Sequence, residues 1–275
     1  MDFIKFKHVS KAYNEGENVI DNLSFSVESG QFVTILGPSG CGKTTLLKMI
    51  NKMISYDSGN IYLNGRDLAD WDKIKLRRSI GYVIQQIGLM PHLTVKKNIN
   101  YVLDITNAKK SLKETKPEEL IELVGLSRDM LNRYPRELSG GQKQRIGVAR
   151  ALAANPDIIL MDEPFGAVDE IARTSLQDEI INIHKKLKKT ILFVTHDIQE
   201  AFKLGTKIIL MNKGKIVQIG TKEDLVFRPK TKFVKDFLGI KGFQATLDKQ
   251  SILDFYERVL NEEVDIDYLY EQMKK

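Results

Sequence analysis

Hydrophobic and polar positions alternate near the start of the chain and later give way to short, unbroken apolar runs. The alternation covers Phe3-Ile-Lys-Phe-Lys-His-Val9 and Asn22-Leu-Ser-Phe-Ser-Val27, the period of half-buried antiparallel strands. The unbroken runs are Val33–Leu36, Asp157–Met161, Thr190–Thr195 and Lys207–Met211. A strand covered on both faces reads this way, as in a parallel sheet between layers of helices. Further strands are expected at Asn60–Leu63, at the edge of a sheet, and at Ser79–Ile84. Lys215–Ile219 returns beside Lys207–Met211 across Asn212-Lys-Gly214 as a hairpin. Helical periodicity follows Gly42 and again spans Asp169–Lys188. From about Pro91 to Leu152 strand signals fade, and a helix start is expected at Pro117-Glu118-Glu119. Proline suits the first helical turn, and acidic side chains there meet the positive end of the dipole. Strands alternating with helices indicate an α/β fold with a mainly parallel sheet and ligands at the carboxyl ends of its strands.

One such strand end carries the strongest chemical signal. Val33–Leu36 runs into Gly37-Pro38-Ser39-Gly40-Cys41-Gly42, and Lys43-Thr44-Thr45 opens a helix. This is G-x-x-x-x-G-K-[ST] between a strand and a helix, the context in which such a loop cradles phosphates. The glycines let backbone N–H groups point inward as an anion nest, and the helix dipole adds to that field. Lys43 is expected to reach the β- and γ-phosphates, and the Thr44 hydroxyl to ligate Mg²⁺. Cys41, beside Lys43 at a helix N-terminus, is expected to favour its thiolate and to be covered by bound phosphates. A nucleoside triphosphate is the expected ligand.

Three other strand ends present polar groups. Asp162 closes Asp157–Met161 and suits Mg²⁺ held through its water shell. Glu163 follows and is expected to polarise an attacking water as general base. Gln85 ends the strand at 79–84 and would touch metal and water. His196 ends Thr190–Thr195 and would hydrogen-bond the γ-phosphate. Tyr13 stands before the loop Asn14–Asn18, and spacing alone does not separate an amphipathic filler from a ring that stacks on a base.

Composition narrows the class without deciding it. The apolar fraction of 42% over 275 residues allows a substantial core. Apolar runs are strand-length and Met1–Lys5 lacks the core of a secretory signal, so neither a membrane span nor a leader is expected. A single cysteine excludes an internal disulfide and fits a reducing compartment. The net charge of +6 is spread among 36 acidic residues with no long basic tract, which reads as a lysine-rich solvated surface; no nucleic-acid partner is expected, though charge alone does not decide this.

Taken in order, Gly37–Thr45, Gln85, Leu138-Ser-Gly-Gly-Gln142, Ile158–Glu163, Gly166-Ala-Val-Asp169 and His196 resemble the motif set of an ABC-transporter ATPase subunit, over roughly residues 3–239. The resemblance implies a P-loop NTPase core with a mainly parallel sheet, an antiparallel β subdomain and an inserted α-helical subdomain. Residues 1–239 would form the ATPase domain, with the helical subdomain at about 88–153, and 240–275 a helical appendage. It also implies ATP and Mg²⁺ as cofactors and Tyr13 as the adenine-stacking ring. The phosphate loop, Gly37, Ser39, Gly40, Cys41, Gly42, Lys43, Thr44 and Thr45, would hold one face of the nucleotide. Ser139, Gly141 and Gln142 of a second subunit would close on the other, in a head-to-tail homodimer. Asp162, Thr44 and Gln85 would serve the metal, and Glu163, His196 and Gln85 the chemistry. Val168 stands where leucine is commoner in the family.

A narrower likeness, on Gly81-Tyr-Val-Ile-Gln-Gln-Ile-Gly-Leu-Met-Pro-His-Leu-Thr94 and Asp162–Asp169, points to importers of osmoprotectants such as glycine betaine, carnitine or choline. Two membrane permease subunits and, indirectly, an extracytoplasmic substrate-binding protein would be the partners, with the chain at the cytoplasmic face of the membrane. About 35 residues follow Gly239, so the paired CBS modules that such relatives often carry are not expected. Leu253, Tyr256, Leu260, Ile266 and Leu269 there have the spacing of short amphipathic helices, expected to pack on the ATPase or its dimer mate. An importer ATPase for another small solute such as an amino acid, an exporter ATPase and a soluble, non-transport ABC ATPase remain the alternatives.

Overall fold

The computed structural model of the chain describes residues 2–14, 16–85, 87–166, 168–247, 249–261 and 263–264. Gln86, Ala167, Ile266 and Leu269, named above, lie outside them. In chain order the elements begin with β1 (Asp2–Asn14), β2 (Glu17–Glu28), β3 (Phe32–Leu36) and α1 (Lys43–Ile50). β4 (Ser58–Leu63), β5 (Arg66–Asp67), α2 (Lys73–Ser79) and β6 (Ile80–Val83) follow. Next come α3 (Val95–Ile105), α4 (Lys110–Leu123) and α5 (Gly140–Leu152). The pattern then returns to alternation with β7 (Ile158–Asp162), α6 (Glu170–Leu187), β8 (Thr190–Thr195), α7 (Ile198–Leu204), β9 (Lys207–Asn212) and β10 (Lys215–Gly220). The last elements are α8 (Lys222–Phe227), α9 (Lys232–Thr246) and α10 (Lys249–Leu260).

The strands form a four-stranded antiparallel sheet, β2-β1-β4-β5, and a six-stranded sheet, β10-β9-β3-β8-β7-β6. The larger sheet is parallel except for the β9–β10 hairpin. β4 lies between β1 and β5 rather than at an edge, because the two residues of β5 add a short final strand. Every residue of β3, β7 and β8 is buried, which is why their sequences show no polar alternation. Their side chains still alternate between layers. Val33, Ile35, Ile158, Leu160, Leu192 and Val194 face one core with α1 and the antiparallel sheet. Ile159, Met161, Ile191 and Phe193 face the other, with α3 to α6. The helical stretch thus shares its apolar core with one face of the six-stranded sheet. The register sets Leu36 beside Thr195, Val194 beside Asp162 and Met161 beside Val83, so four strands end on one rim.

One helix start departs from expectation, and another helix bends. α4 begins at Lys110, and Pro117 lies inside it rather than at its start. Proline there removes the N–H that would bond the Lys113 carbonyl. Asn100 of α3 replaces it, donating from Nδ2 to the Lys113 oxygen at 2.7 Å. α9 bends at Gly239, where φ is 47° and ψ is −146°, a combination open in practice only to glycine. Beyond the bend Leu253, Tyr256 and Leu260 are exposed, so of the two expected partners the chain's own ATPase core does not cover them. Among the described residues no helix is long and apolar enough to cross a membrane.

Candidate active site

The site is built on the rim where β3, β6, β7 and β8 end. After β3 the chain turns through Gly37–Gly42 into α1, with Gly42 at the N-cap and a φ of 102°. A Cβ there would lie 2.6 Å from the Val19 carbonyl oxygen, so only glycine lets the loop pass this close to β2. Val19, Ser39, Gly40, Gly42, Lys43, Thr44, Thr45 and Glu163 line a cavity of about 290 Å³. Lys43 is only 4% exposed, and its ammonium donates to the Gly37 and Pro38 carbonyls at 2.8 Å each. Its third donor has only the soft Cys41 Sγ at 4.0 Å, a weak acceptor that a phosphate oxygen would outcompete. Cys41 departs from expectation. Its side chain is buried, and burial pushes the thiol up against the weaker downward pull of Lys43, so the thiolate is disfavoured.

Thr44 and Asp162, far apart in sequence, meet across the strands. The Thr44 hydroxyl donates to Asp162 Oδ1 at 2.8 Å. Burial raises the Asp162 carboxyl above the usual range; the Thr44 bond and the Lys48 and Lys43 charges oppose this, and Glu163 adds to it. Tyr82 of β6 lies against the same carboxylate. Burial and then that charge raise its phenol, whose oxygen is buried with no partner in hydrogen-bonding geometry. A hydroxyl and a carboxylate beside an anion nest fit Mg²⁺, which takes one or two protein oxygens and completes its shell with phosphates and water.

Glu163 follows β7 in the left-handed region, with φ 44°. Its N–H is fixed by the Val194 carbonyl at 3.0 Å, and its Oε2 lies 3.2 Å from Nδ1 of His196, which follows β8. Two predicted residues thereby meet at the cavity mouth. Tyr13 is 54% exposed, its hydroxyl 3.2 Å from Thr45 Oγ1 and its ring under Lys11 Nζ at 5.9 Å. A broad free face therefore stands next to the loop.

The remaining predicted residues lie apart from the cavity lining. Gln85 is exposed at the end of β6, its Nε2 3.4 Å from the position a Cβ on Gly166 would take. Ser139 caps α5 in a reciprocal box, its Oγ accepting from the Gln142 N–H at 3.2 Å and its own N–H donating to Gln142 Oε1 at 3.0 Å. Ser139 and Gly140 are exposed and Gly141 is buried. The start of α5 therefore presents Ser139 and Gly140 to the outside, while Gly141 is covered and the Gln142 N–H is held by the cap. Asp169 caps α6, accepting from the Ala172 N–H at 2.9 Å.

The sequence assigns no site role to Val19, Thr195 or Glu200. Val19 enters the lining through the β1–β2 hairpin, which no local pattern announces. Thr195 looks like a strand residue, yet its hydroxyl donates to the buried Glu200 carboxylate at 2.6 Å. A glutamate three residues after a capping aspartate could have signalled a helix start at Asp197.

Comparison with known proteins agrees with this geometry. A family model described as ABC transporter matches residues 20–166. A carnitine transport ATP-binding protein of Listeria monocytogenes is 52% identical over 236 residues, covering 86% of this chain and 59% of the relative. A glycine betaine uptake system ATP-binding protein of Escherichia coli is 41% identical over 271 residues, covering 98% of this chain and 87% of the relative. The chain spans 59% of the Listeria relative's length. A solved structure of a dimeric ATP-binding cassette in a post-hydrolysis state, bound to ADP and Pi, matches with a TM-score of 0.71 at 33% identity. It covers 79% of this chain and 98% of that one. With the phosphate loop, the rim and the second capped helix start all in place, the chain belongs to the ABC transporter family.

Proposed function

We propose that the chain is the ATP-hydrolysing subunit of an importer for quaternary ammonium osmoprotectants. The observation that carries the hydrolytic part is the convergence at one rim of the Thr44–Asp162 bond, 2.8 Å, and the Glu163–His196 contact, 3.2 Å. The substrate class rests on the relatives, named for transport of carnitine and of glycine betaine. The loop N–H groups and Lys43 bind the β- and γ-phosphates, and Tyr13 offers its free face to adenine. Thr44 and Asp162 would hold Mg²⁺, with Gln85 joining them, and the metal would supply charge neutralisation for the phosphates. Glu163 accepts a proton from the attacking water while His196 holds a γ-phosphate oxygen. Ser139, Gly141 and Gln142 of a second copy cover the opposite side of the nucleotide with the positive end of α5. The pair works at the cytoplasmic face of the membrane beneath two permease subunits, which an extracytoplasmic substrate-binding protein feeds.

Two measurements test this reading. Phosphate release from MgATP by the purified chain should be readily measured and lost in Lys43→Ala. Calorimetry on the co-encoded receptor should show binding of glycine betaine, carnitine or choline, whose methylated cations suit an aromatic cage. No phosphate release from the parental chain contradicts the hydrolytic part. A receptor that binds an amino acid or sugar and none of these cations contradicts the substrate class.

A further inference from the structure

His196 sits in a turn whose two neighbours are tied together by a buried carboxylate. Glu200, on the first turn of α7, is 6% exposed. A carboxylate this deep is costly unless its oxygens are satisfied. Its Oε2 accepts the Thr195 hydroxyl at 2.6 Å, and the same hydroxyl accepts the Asp197 N–H at 3.0 Å. A hydroxyl has one proton, so giving it to Glu200 aims a lone pair at Asp197. The carboxylate thus fixes the direction of a hydrogen bond that spans His196. Helix capping does not explain this carboxylate. The cap uses the backbone N–H of Glu200, which donates to Asp197 Oδ1 at 3.1 Å and would do so under any side chain. On its other side Glu200 Oε1 faces Arg173 Nε at 3.9 Å, a nitrogen buried without an acceptor. Arg173 Nη2 in turn donates to the Val168 carbonyl at 3.1 Å, one residue before the Asp169 cap of α6.

We infer that Glu200 is a positioning residue that orients His196 through the Thr195 hydroxyl and links that turn, through Arg173, to the segment ahead of α6. The inference deepens the proposed function and rests on its reading of His196. Glu200→Gln keeps the volume but can donate to the Thr195 hydroxyl, freeing it from its fixed direction. Thr195→Val removes the hydroxyl at nearly constant shape, whereas Thr195→Ser keeps it.

The test has two readouts on the full chain. The first is the histidine ring signal of His196 in ¹H–¹³C NMR, assigned by its loss in His196→Ala. It should shift in Glu200→Gln and Thr195→Val and stay at the parental position in Thr195→Ser. The second is MgATP hydrolysis. Glu200→Gln and Thr195→Val should lower kcat by roughly 10–100-fold, the scale of an ångström's misplacement at a reacting group. KM should stay within about twofold, since the phosphate loop is untouched. In a His196→Ala background, followed by single-turnover phosphate release, the two substitutions should add little further loss. An unmoved His196 signal in both variants, or a full additional loss without His196, overturns the inference. A shifted signal together with a His196→Ala chain that hydrolyses ATP at the parental rate supports the positioning and instead removes His196 from the proposed chemistry. If Glu200→Gln does not fold, Thr195→Val against Thr195→Ser decides between the same outcomes.

Discussion

Glu163 occupies a backbone conformation that costs an L-residue energy. At φ 44° its side chain is strained relative to glycine, and the strain is held by the Val194 bond and the edge of β8. In return its carboxylate leaves the strand direction of Asp162 and meets His196. Replacing only its basicity should therefore be informative. Glu163→Gln should reduce phosphate release by roughly 10²–10⁴-fold, the usual contribution of a positioned base, with ATP affinity retained. Hydrolysis at the parental rate would remove Glu163 from that role. Cys41 gives a second prediction at this scale. Because burial outweighs the nearby ammonium, maleimide should label the native chain far more slowly than the urea-unfolded chain, with or without MgATP. Rapid labelling of the native apo chain would contradict the buried thiol. That Asp162, Glu163 and His196 stand where strands end was legible in the sequence. The state of Cys41 was not, since proximity to a helix start and a lysine says nothing about how much water the loop excludes.

Among the elements, α3 and α4 show how a local rule yields to a partner from elsewhere. Pro117 signalled a helix start because a mid-helix proline leaves a carbonyl unpaired. Asn100, thirteen residues before Lys113, supplies the missing donor, and nothing in the α4 sequence indicates this. Asn100→Ala should therefore leave the Lys113 carbonyl unsatisfied and destabilise the chain by about 1–3 kcal/mol in urea denaturation. In a Pro117→Ala background the restored N–H bonds that carbonyl, and the cost of Asn100→Ala should fall by most of that amount. Equal costs in both backgrounds would contradict the pairing. The strands were more legible than the helices. β3, β7 and β8 are buried on both faces, so their apolar runs mark them directly, and β9 and β10 are set by the Asn212-Lys-Gly214 turn. β1 and β2 run longer than their alternating cores, because pairing with each other carries Tyr13 and Val19 into strand.

At the scale of the whole molecule, the four strand ends meet beside the phosphate loop, and the capped start of α5 stands apart from the cavity with Ser139 and Gly140 exposed. In the proposed function, a second copy arranged head to tail would bring that start to the nucleotide. Order along the chain made the motifs recognisable. It could not show that Ser139–Gln142 lie outside the lining of their own cavity, for that depends on how α5 sits on the sheet. The most direct measurement is the mass in solution of Glu163→Gln, by size-exclusion chromatography with light scattering. With ATP it should run as a dimer and without ATP as a monomer. Adding Ser139→Arg should return it to a monomer that still binds ATP through the phosphate loop. A Glu163→Gln chain that stays monomeric while saturated with ATP, or a Ser139→Arg chain that loses ATP itself, would contradict a site shared between two copies.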